Sequence, residues 1–308
     1  MSSVLYDVPG PRAIVRNRIL GVVTVIVVVA ILGFILWRLW VTGQFTAAKW
    51  DAFTYTNVWV QIGIATLNTL AAFGVAAIGA LVLGFVLAIG RLSDHTWLRR
   101  PVGAIVEVLR AIPVLVFMFL LYYGLPVVGV RMDPYWAVVI ALIAYNGSVL
   151  AEVFRAGVES LPKGQSEAGY AIGLRKSGVM RLILLPQAIR AMMPVIIAQL
   201  VVTLKDTALG YIITYEELLF YARYIGSQST YGSPIVPATI IVGTIYIVLC
   251  LILSYIAYRV ERRLRRTNRM VVTADLLDEN ITTTRAVAVR AGLDSIGGGE
   301  GTGGGLRG

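Results

Sequence analysis

The chain has 308 residues, and only 14% of them are charged, whereas soluble domains carry roughly a quarter charged residues. Hydrophobic residues make up 57% of the chain, so its solvent is lipid along most of its length. The net charge of +10 does not indicate a nucleic-acid-binding protein, because the basic residues stand beside apolar segments. We therefore predict an all-α integral membrane protein with no nucleic-acid partner.

Six apolar segments are long enough to cross a bilayer core of about 30 Å as helices. Continuous apolar runs exclude barrel strands, in which apolar and polar residues alternate. The first run is too long for a signal peptide, so we predict a retained anchor helix. The predicted spans are residues 19–41, 62–90, 102–124, 135–157, 191–214 and 236–258.

Basic residues alternate between the two sides of these spans. One set of loops is rich in Lys and Arg, whereas the other holds only Lys49, Arg131 and Arg223, with Arg38 near a helix end. Because cytoplasmic loops carry the excess of Lys and Arg, we predict that both termini are cytoplasmic. The predicted divisions are a cytoplasmic N-terminus (1–18), a first helix with its external loop (19–61), a five-span core (62–258) and a basic cytoplasmic segment with a tail (259–308).

The composition argues against an internal disulfide, a metal site and an ATP-binding loop in this chain. His95 and Cys250 are the only residues of their types, so we expect neither an internal disulfide nor a metal site. The chain has no Gly-Lys dipeptide and therefore lacks a phosphate-binding loop of the Walker type. Residues 271–308 are polar and then glycine-rich, which predicts a disordered tail.

The longest internal loop, residues 158–190, follows the fourth span. Pro162 ends that span, and residues 165–172 predict a short amphipathic helix that Gly173 terminates. Such a helix either lies on lipid or docks into a groove of another protein. Its small residues, Ala168, Gly169 and Ala171, favour docking over insertion into lipid.

This loop resembles the EAA signature of ABC importer permeases, in which Glu-Ala-Ala is followed at fixed spacing by Gly, Ile and Leu-Pro. Every position agrees except that Gly169 replaces the second Ala. The matching residues are Glu167, Ala168, Gly169, Gly173, Ile183, Leu185 and Pro186. The resemblance implies a coupling helix at about 163–173, which sits in a cleft of the ATPase subunit.

Residues 105–124, 145–157, 161–165 and 204–210 resemble polar-amino-acid permeases. Residues 4–12 and the pairing of YNGS (145–148) with KDTALG (205–210) are similar to one branch, the glutamate-importer permeases of actinobacteria. The resemblance implies a type I importer core of five helices, to which the first helix is an addition. It implies two copies of an ATPase subunit, a second homologous permease and an extracellular lipid-anchored substrate-binding protein. ATP and magnesium would bind the ATPase, so this chain would hold no cofactor and would not be an enzyme.

Ionisable residues inside spans are costly, so each needs a partner or a function. Glu107 and Arg110 are three residues apart, as are Glu152 and Arg155, and either pair can neutralise itself on one helix face. Lys205 and its neighbour Asp206 lie deeper, beyond the midplane of the fifth span. They either contact substrate or brace neighbouring helices.

Glutamate presents two carboxylates and one ammonium, which require opposite charges or helix termini. Tyr122, Asn146 and Ser148 are neutral candidates for hydrogen bonds to it, and for Tyr122 and Asn146 contacts between helices are the alternative that we favour. The candidate substrate or pore residues are Lys205, Asp206, Arg110, Glu107, Tyr122, Asn146, Ser148 and Glu152.

Other classes of membrane protein share some of these features. A passive channel or another non-ABC transporter would have the same apolar spans but no use for a docking helix. A membrane enzyme would need a catalytic cluster at a common depth, and the sequence indicates none. An exporter is disfavoured because the EAA-like loop is typical of importers.

Overall fold

The computed structural model describes residues 10–263, and within this range the chain forms helices and no strand. Short helical turns, Ala47–Trp50 and Asp51–Thr54, follow the first helix. The helices are α1 (Pro11–Val41), α2 (Thr56–Arg91), α3 (Thr96–Ala111), α4 (Val114–Phe119), α5 (Pro134–Glu159), α6 (Lys163–Ala171), α7 (Leu185–Asp206), α8 (Leu218–Gly226) and α9 (Ile235–Arg263).

Two of these helices continue into tighter or wider helical turns. α4 continues through a π-helical stretch (Leu120–Gly124) into a 3₁₀ turn (Leu125–Val128). α7 follows a short turn (Lys176–Gly178) and a π-helical stretch (Val179–Leu184), and it leads into a 3₁₀ segment (Thr207–Ile213).

The described residues contain five helical stretches that are long and apolar enough to cross a membrane, with a bent pair as a sixth. The prediction of an all-α protein with six spans is therefore confirmed, with the bent pair as the third span. The third predicted span is not one straight helix, because Thr96–Ala111 and Val114–Val128 meet at 94°. Pro113 lies at this break. The helix is interrupted here because proline has no N–H and disfavours helical geometry in the residue before it.

The fifth span is longer than predicted. The helical stretch runs from Lys176 to Ile213, so the second half of the predicted loop is helical. Arg181 and Arg190 conceal this extension in the sequence, because they delay the continuous apolar run until residue 191. A membrane-crossing helix can extend into water, where charged residues cost little.

Packing divides the described residues into two compact units. The first contains residues 10–78, 112–143 and 203–249, and the second contains residues 79–111, 144–202 and 250–263. α1 has no buried residue, as expected for an anchor helix whose surroundings are lipid.

The first unit has two apolar clusters. Met118, Leu142 and Ile213 are the large buried residues of one, and Val58 and Leu218 belong to the other. In the second unit, Ala80, Leu150 and Phe154 join α2 to α5. A Cβ on Gly84 would lie 2.8 Å from Leu150 Cβ, so glycine permits this close approach of α2 and α5.

Two sets of predictions fall outside the described residues. The tail at 271–308 and the basic residues from 264 onward form one set, and the N-terminal stretch up to residue 9 is the other. The divisions at residues 18, 61 and 258 stay predictions.

Candidate functional site

The residues of the EAA-like signature lie on α6 and on the turn and helical stretch that follow it. We call residues 163–186 the coupling segment. α6 begins at Lys163, two residues earlier than predicted, so Glu167 lies in the middle of the helix and not at its start. Glu167 and Ala168 are exposed, as are Ala171 and Ile172, with Ile172 at 77% exposure. An exposed face of small residues around one apolar side chain fits the surface of another protein.

α6 ends in a Schellman motif, as the position of Gly173 predicts. Gly173 has a φ of +82°, its N–H donates to Tyr170 O, and Leu174 N–H donates to Gly169 O at 3.1 Å. These two hydrogen bonds satisfy carbonyl groups at the end of the helix, and glycine adopts a positive φ without strain. The glycine of the signature is therefore required by backbone geometry.

Gly169 faces inward, unlike its neighbours in α6. A Cβ at this position would lie 2.9 Å from Ile183 Cδ1 and 2.9 Å from Val179 Cγ2. Glycine and alanine are therefore not equivalent here, because alanine would force Ile183 or Val179 to move. Gln187 Nε2 also donates to Gln165 Oε1 at 3.2 Å, which ties α6 to α7.

Leu185 and Pro186 lie where the π-helical stretch becomes α7. Leu185 N–H donates to Met180 O, five residues earlier, and Pro186 has no N–H to donate. The wider π turn accommodates a proline that would otherwise interrupt the ladder of hydrogen bonds. The Leu-Pro pair thus shapes the entry into α7, with Leu185 and Pro186 both half-buried.

A cluster of charged residues forms in the second unit. Arg155 Nε donates to Glu152 Oε1 at 3.0 Å, and Arg155 also pairs with Glu159. Arg91 Nη2 lies 3.5 Å from Glu152 Oε2, and Arg110 contributes a further positive charge near Glu152. Glu152 therefore pairs with Arg155, as its spacing predicts, but it also pairs with Arg91 of α2.

A cavity of about 380 Å³ lies beside this cluster. Glu107, on α3, lines it, and no ion pair joins Glu107 to Arg110 in the described part of the chain. The complete lining is Arg91, Arg99, Arg100, Gly103, Ala104, Glu107, Arg155 and Glu159. The sequence indicates only a role in membrane orientation for Arg91, Arg99 and Arg100. Arg99 and Arg100 share α3 with Glu107, whereas Arg91 reaches the cavity from α2 because the helices pack together.

Asn146 and Ser148 are buried in α5. Gln199 Nε2 donates to Asn146 Oδ1 at 2.7 Å, which links α5 to α7, and Ser148 Oγ donates to Tyr145 O on its own helix. The Asn146 contact is of the kind expected for the alternative role between helices, whereas Ser148 donates within α5.

Lys205, Asp206 and Tyr122 belong to the first unit. Lys205 and Asp206 are the last residues of α7, with Lys205 exposed and Asp206 half-buried. The described residues include no ion pair of either side chain, as expected for neighbours that point apart on a helix. The residues on either side of this pair, Leu204 and Thr207, are buried, and Thr207 Oγ1 donates to Leu204 O.

The 3₁₀ segment after Asp206 ends in a strained residue. Thr214 has a φ of +65°, which is unusual for a β-branched residue, and its hydroxyl lies 3.3 Å from Tyr122 Oη. Gly210 packs so closely that a Cβ would lie 2.9 Å from Val138 Cγ2. Tyr122 therefore helps to hold the turn that follows the two charged residues.

Glu217 is a buried acid that sequence analysis did not identify. It precedes α8 and accepts hydrogen bonds from Phe220 N at 2.7 Å, Leu219 N at 2.8 Å and Tyr246 Oη at 2.7 Å. Burial raises the pKa of Glu217 to about 7, although these three hydrogen bonds act in the opposite direction. An acid directly before an apolar helix is the available sequence signal, because carboxylates cap helix N-termini.

Comparisons with known proteins agree with this arrangement. A model of the family described as binding-protein-dependent transport system inner membrane component matches residues 80–266. The glutamate transport system permease protein GluD of Corynebacterium glutamicum is 39% identical over 255 residues, which cover 80% of this chain and 92% of that protein. The glutamine transport system permease protein GlnP of Escherichia coli is 33% identical over 190 residues, which cover 61% of this chain and 85% of that protein.

Solved structures share the fold. A subunit in the crystal structure of an amino acid ABC transporter with histidines matches with a TM-score of 0.62 and 28% identity, covering 69% of this chain and 97% of that chain. A subunit of the MetNI methionine ABC transporter matches with a TM-score of 0.58 and 19% identity, covering 68% of this chain and 99% of that chain, which shows the fold alone. The chain therefore belongs to the family of binding-protein-dependent transport system inner membrane components, as a permease subunit of an amino-acid ABC importer whose ATPase is a separate subunit.

Proposed function

We propose that this permease imports acidic amino acids, with glutamate as its preferred substrate. The observation that carries the proposal is the 39% identity to GluD, whose name states glutamate transport, over 92% of that protein. Relatives at 32 to 34% identity are named for glutamine, cystine and arginine transport, so the substrate differs within the family.

The charge of the second unit supports an acidic substrate. The cluster contains the cations Arg91, Arg99, Arg100, Arg110 and Arg155, against the carboxylates of Glu107, Glu152 and Glu159. A surplus of cations beside a cavity attracts an anion that carries two carboxylates and one ammonium. The carboxylate of Glu107 is available for the ammonium of that substrate.

Lys205 and Asp206 are a second candidate contact for the substrate. Both lie within the membrane-crossing helical stretch that runs to Ile213, where an ionisable group is costly unless it has a function. Transport requires release as well as binding, so a site with few charged groups suits a permease.

The exposed face of α6 would dock into the ATPase subunit. Ala168 and Ala171 allow close approach, and Ile172 is the apolar anchor of this face. Both termini would then lie in the cytoplasm, on the same side as α6. ATP and magnesium would bind to the ATPase.

The complete importer would contain two ATPase subunits, a second homologous permease and an extracellular substrate-binding protein. The intact complex in detergent should have the mass of two permeases and two ATPases. A transport-competent monomer without an ATPase would contradict this assembly and would favour a passive channel.

Substrate uptake tests the proposal directly. Proteoliposomes that contain the complex, the binding protein and internal ATP should accumulate labelled glutamate. A tenfold excess of unlabelled aspartate should compete, whereas arginine should not. The same vesicles without ATP are the control, and uptake of glutamine or arginine in preference to glutamate would contradict the substrate assignment.

A further inference from the structure

A largely apolar cavity of about 620 Å³ lies in the second unit, apart from the charged cluster described above. Its apolar wall includes Phe85 and Ala88 of α2, Phe154 and Val158 of α5, and Met180 of the π-helical stretch. Charged side chains that line it come from the loop after α2 and from the coupling segment. The cavity therefore combines a hydrocarbon-like interior with a polar mouth.

The surface around the cavity is also apolar. Ile89 is 55% exposed, Leu182 is 65% exposed, and Trp97, just after the lining residue His95, is 75% exposed. Tryptophan is enriched where a membrane protein meets the boundary between lipid and water. A molecule that enters this cavity therefore comes from the bilayer and not from the aqueous phase.

The charges of the lining favour an anionic headgroup. Lys176 pairs with Asp94, whereas Arg181 is exposed and makes no ion pair in the described part of the chain. Both cations line the cavity, so the lining has one positive charge more than Asp94 neutralises. A phosphate group can accept hydrogen bonds from the guanidinium of Arg181 and from Lys176 together.

We propose that this cavity binds an anionic phospholipid of the inner leaflet, with an acyl chain against Phe85, Phe154 and Met180 and the phosphate at Arg181 and Lys176. Basic pockets between membrane helices on the cytoplasmic side suit such lipids. The choice of leaflet rests on the proposed orientation, in which α6 is cytoplasmic.

The lipid would also contact the coupling helix α6 indirectly, through the residues between them. Ser177, Met180 and Arg181 face the cavity, while Val179 and Ile183 of the same stretch lie against Gly169 of α6. The stretch 177–183 is thus held between the lipid and the coupling helix. Occupancy fixes one side of this stretch and thereby supports the position of α6 against the ATPase.

Lipid retention tests the site without any transport measurement. The complex is purified in detergent, incubated with phosphatidylglycerol or phosphatidylcholine, and examined by native mass spectrometry. The wild type should retain phosphatidylglycerol in preference, and Arg181→Gln should reduce that retention about fivefold. Arg175→Gln is the matched control, because Arg175 is an exposed cation of the same segment that does not line the cavity.

A second variant tests the apolar part of the site. Met180→Trp places an indole ring in the cavity and should reduce retention severalfold while the headgroup cations remain. Arg181 is exposed, so Arg181→Gln keeps the proposal testable if Met180→Trp fails to fold. Equal retention in the wild type and Arg181→Gln would overturn the proposal, as would displacement of the lipid by soluble glycerophosphate.

The proposed effect of the lipid on coupling is tested separately, by ATPase activity. In nanodiscs, phosphatidylglycerol should raise substrate-stimulated ATPase activity of the wild type severalfold above phosphatidylcholine, and Arg181→Gln should lose that increase. An equal increase in both proteins would overturn the coupling role. If the complex does not import glutamate, lipid retention by mass spectrometry still decides the binding site.

Discussion

Glu217 makes the stability of the protein depend on pH. The pKa of its folded state is about 7, above the ordinary value of 4.5, so the folded chain binds the proton more tightly than the unfolded chain does. This stabilisation is complete below pH 4.5 and is lost as the pH rises through about 7. The loss corresponds to about 3 kcal/mol in the free energy of unfolding.

We expect the melting temperature of the purified complex to fall between pH 5 and pH 8, and Glu217→Gln to flatten that fall. The substituted amide would not titrate. Its oxygen can still accept the hydrogen bond from Phe220 N, and its NH2 group, in place of Oε2, can donate to Tyr246 Oη but loses the bond from Leu219 N. Glu216→Gln is the control, because Glu216 is exposed beside it. The same slope in wild type and Glu217→Gln would show that Glu217 is not the titrating group.

Lys205 should matter more to transport than to folding. Its side chain is exposed in the chain and makes no ion pair among the described residues, so Lys205→Met should leave the melting temperature unchanged. If its ammonium meets a substrate carboxylate, uptake per assembled complex should fall about tenfold, as the loss of a charged hydrogen bond implies. Lys49→Met is the control, and unchanged uptake in Lys205→Met would remove Lys205 from the substrate path.

Gly169 determines how closely α6 packs on the stretch that follows it. A Cβ added at Gly169 would lie 2.9 Å from Ile183 and from Val179, and the branched side chain of Gly169→Val would extend further. The substitution should displace α6, and substrate-stimulated ATPase activity should therefore fall about fivefold. Gly164→Val is the matched control on the same helix, because a Cβ there has no neighbour within 4 Å. Equal activity in the two variants would show that α6 tolerates displacement.

At the scale of an element, α6 is nine residues long and presents one face outward. Glu167→Lys reverses a charge on that face without disturbing the packing, since Glu167 is exposed and Gly169 is the inward residue. We expect normal insertion into the membrane and a loss of uptake of about tenfold, because an altered docking surface weakens the contact with the ATPase.

The control for this change is Asp51→Lys, which reverses an exposed carboxylate in the predicted external loop. It should leave uptake unchanged. Normal stimulation of the ATPase by substrate in Glu167→Lys would argue against a coupling role for α6.

At the scale of the whole molecule, the orientation follows from the placement of basic loops and is open to a labelling test. Cys250 is half-buried in α9 and can be replaced by serine, after which single cysteines are introduced in place of Lys163 and Ser229. A maleimide that does not cross membranes should label the Ser229 position in intact cells. It should label the Lys163 position only after permeabilisation, and the reverse pattern would invert the proposed topology.

Apolar runs, the loop signature and the distribution of Lys and Arg were enough to predict the membrane class, the helical fold and the position of α6. These features are local, because a span depends on about 20 consecutive apolar residues and the signature depends on spacing along the chain. The pairing of Glu152 with Arg155 was likewise predictable, since residues three apart share a helix face.

The other features were visible only in the structure. The 94° bend at Pro113 was hidden within an apolar run, and the helical start at Lys176 was hidden by charged residues that water tolerates. Arg91 approaches Glu152 because α2 and α5 pack closely at their glycines, and Glu217 is buried where Tyr246 of α9 donates to it. Sequence by itself determined which segments enter the membrane, whereas the approach of residues distant in the chain depends on how helices pack, which no local pattern encodes.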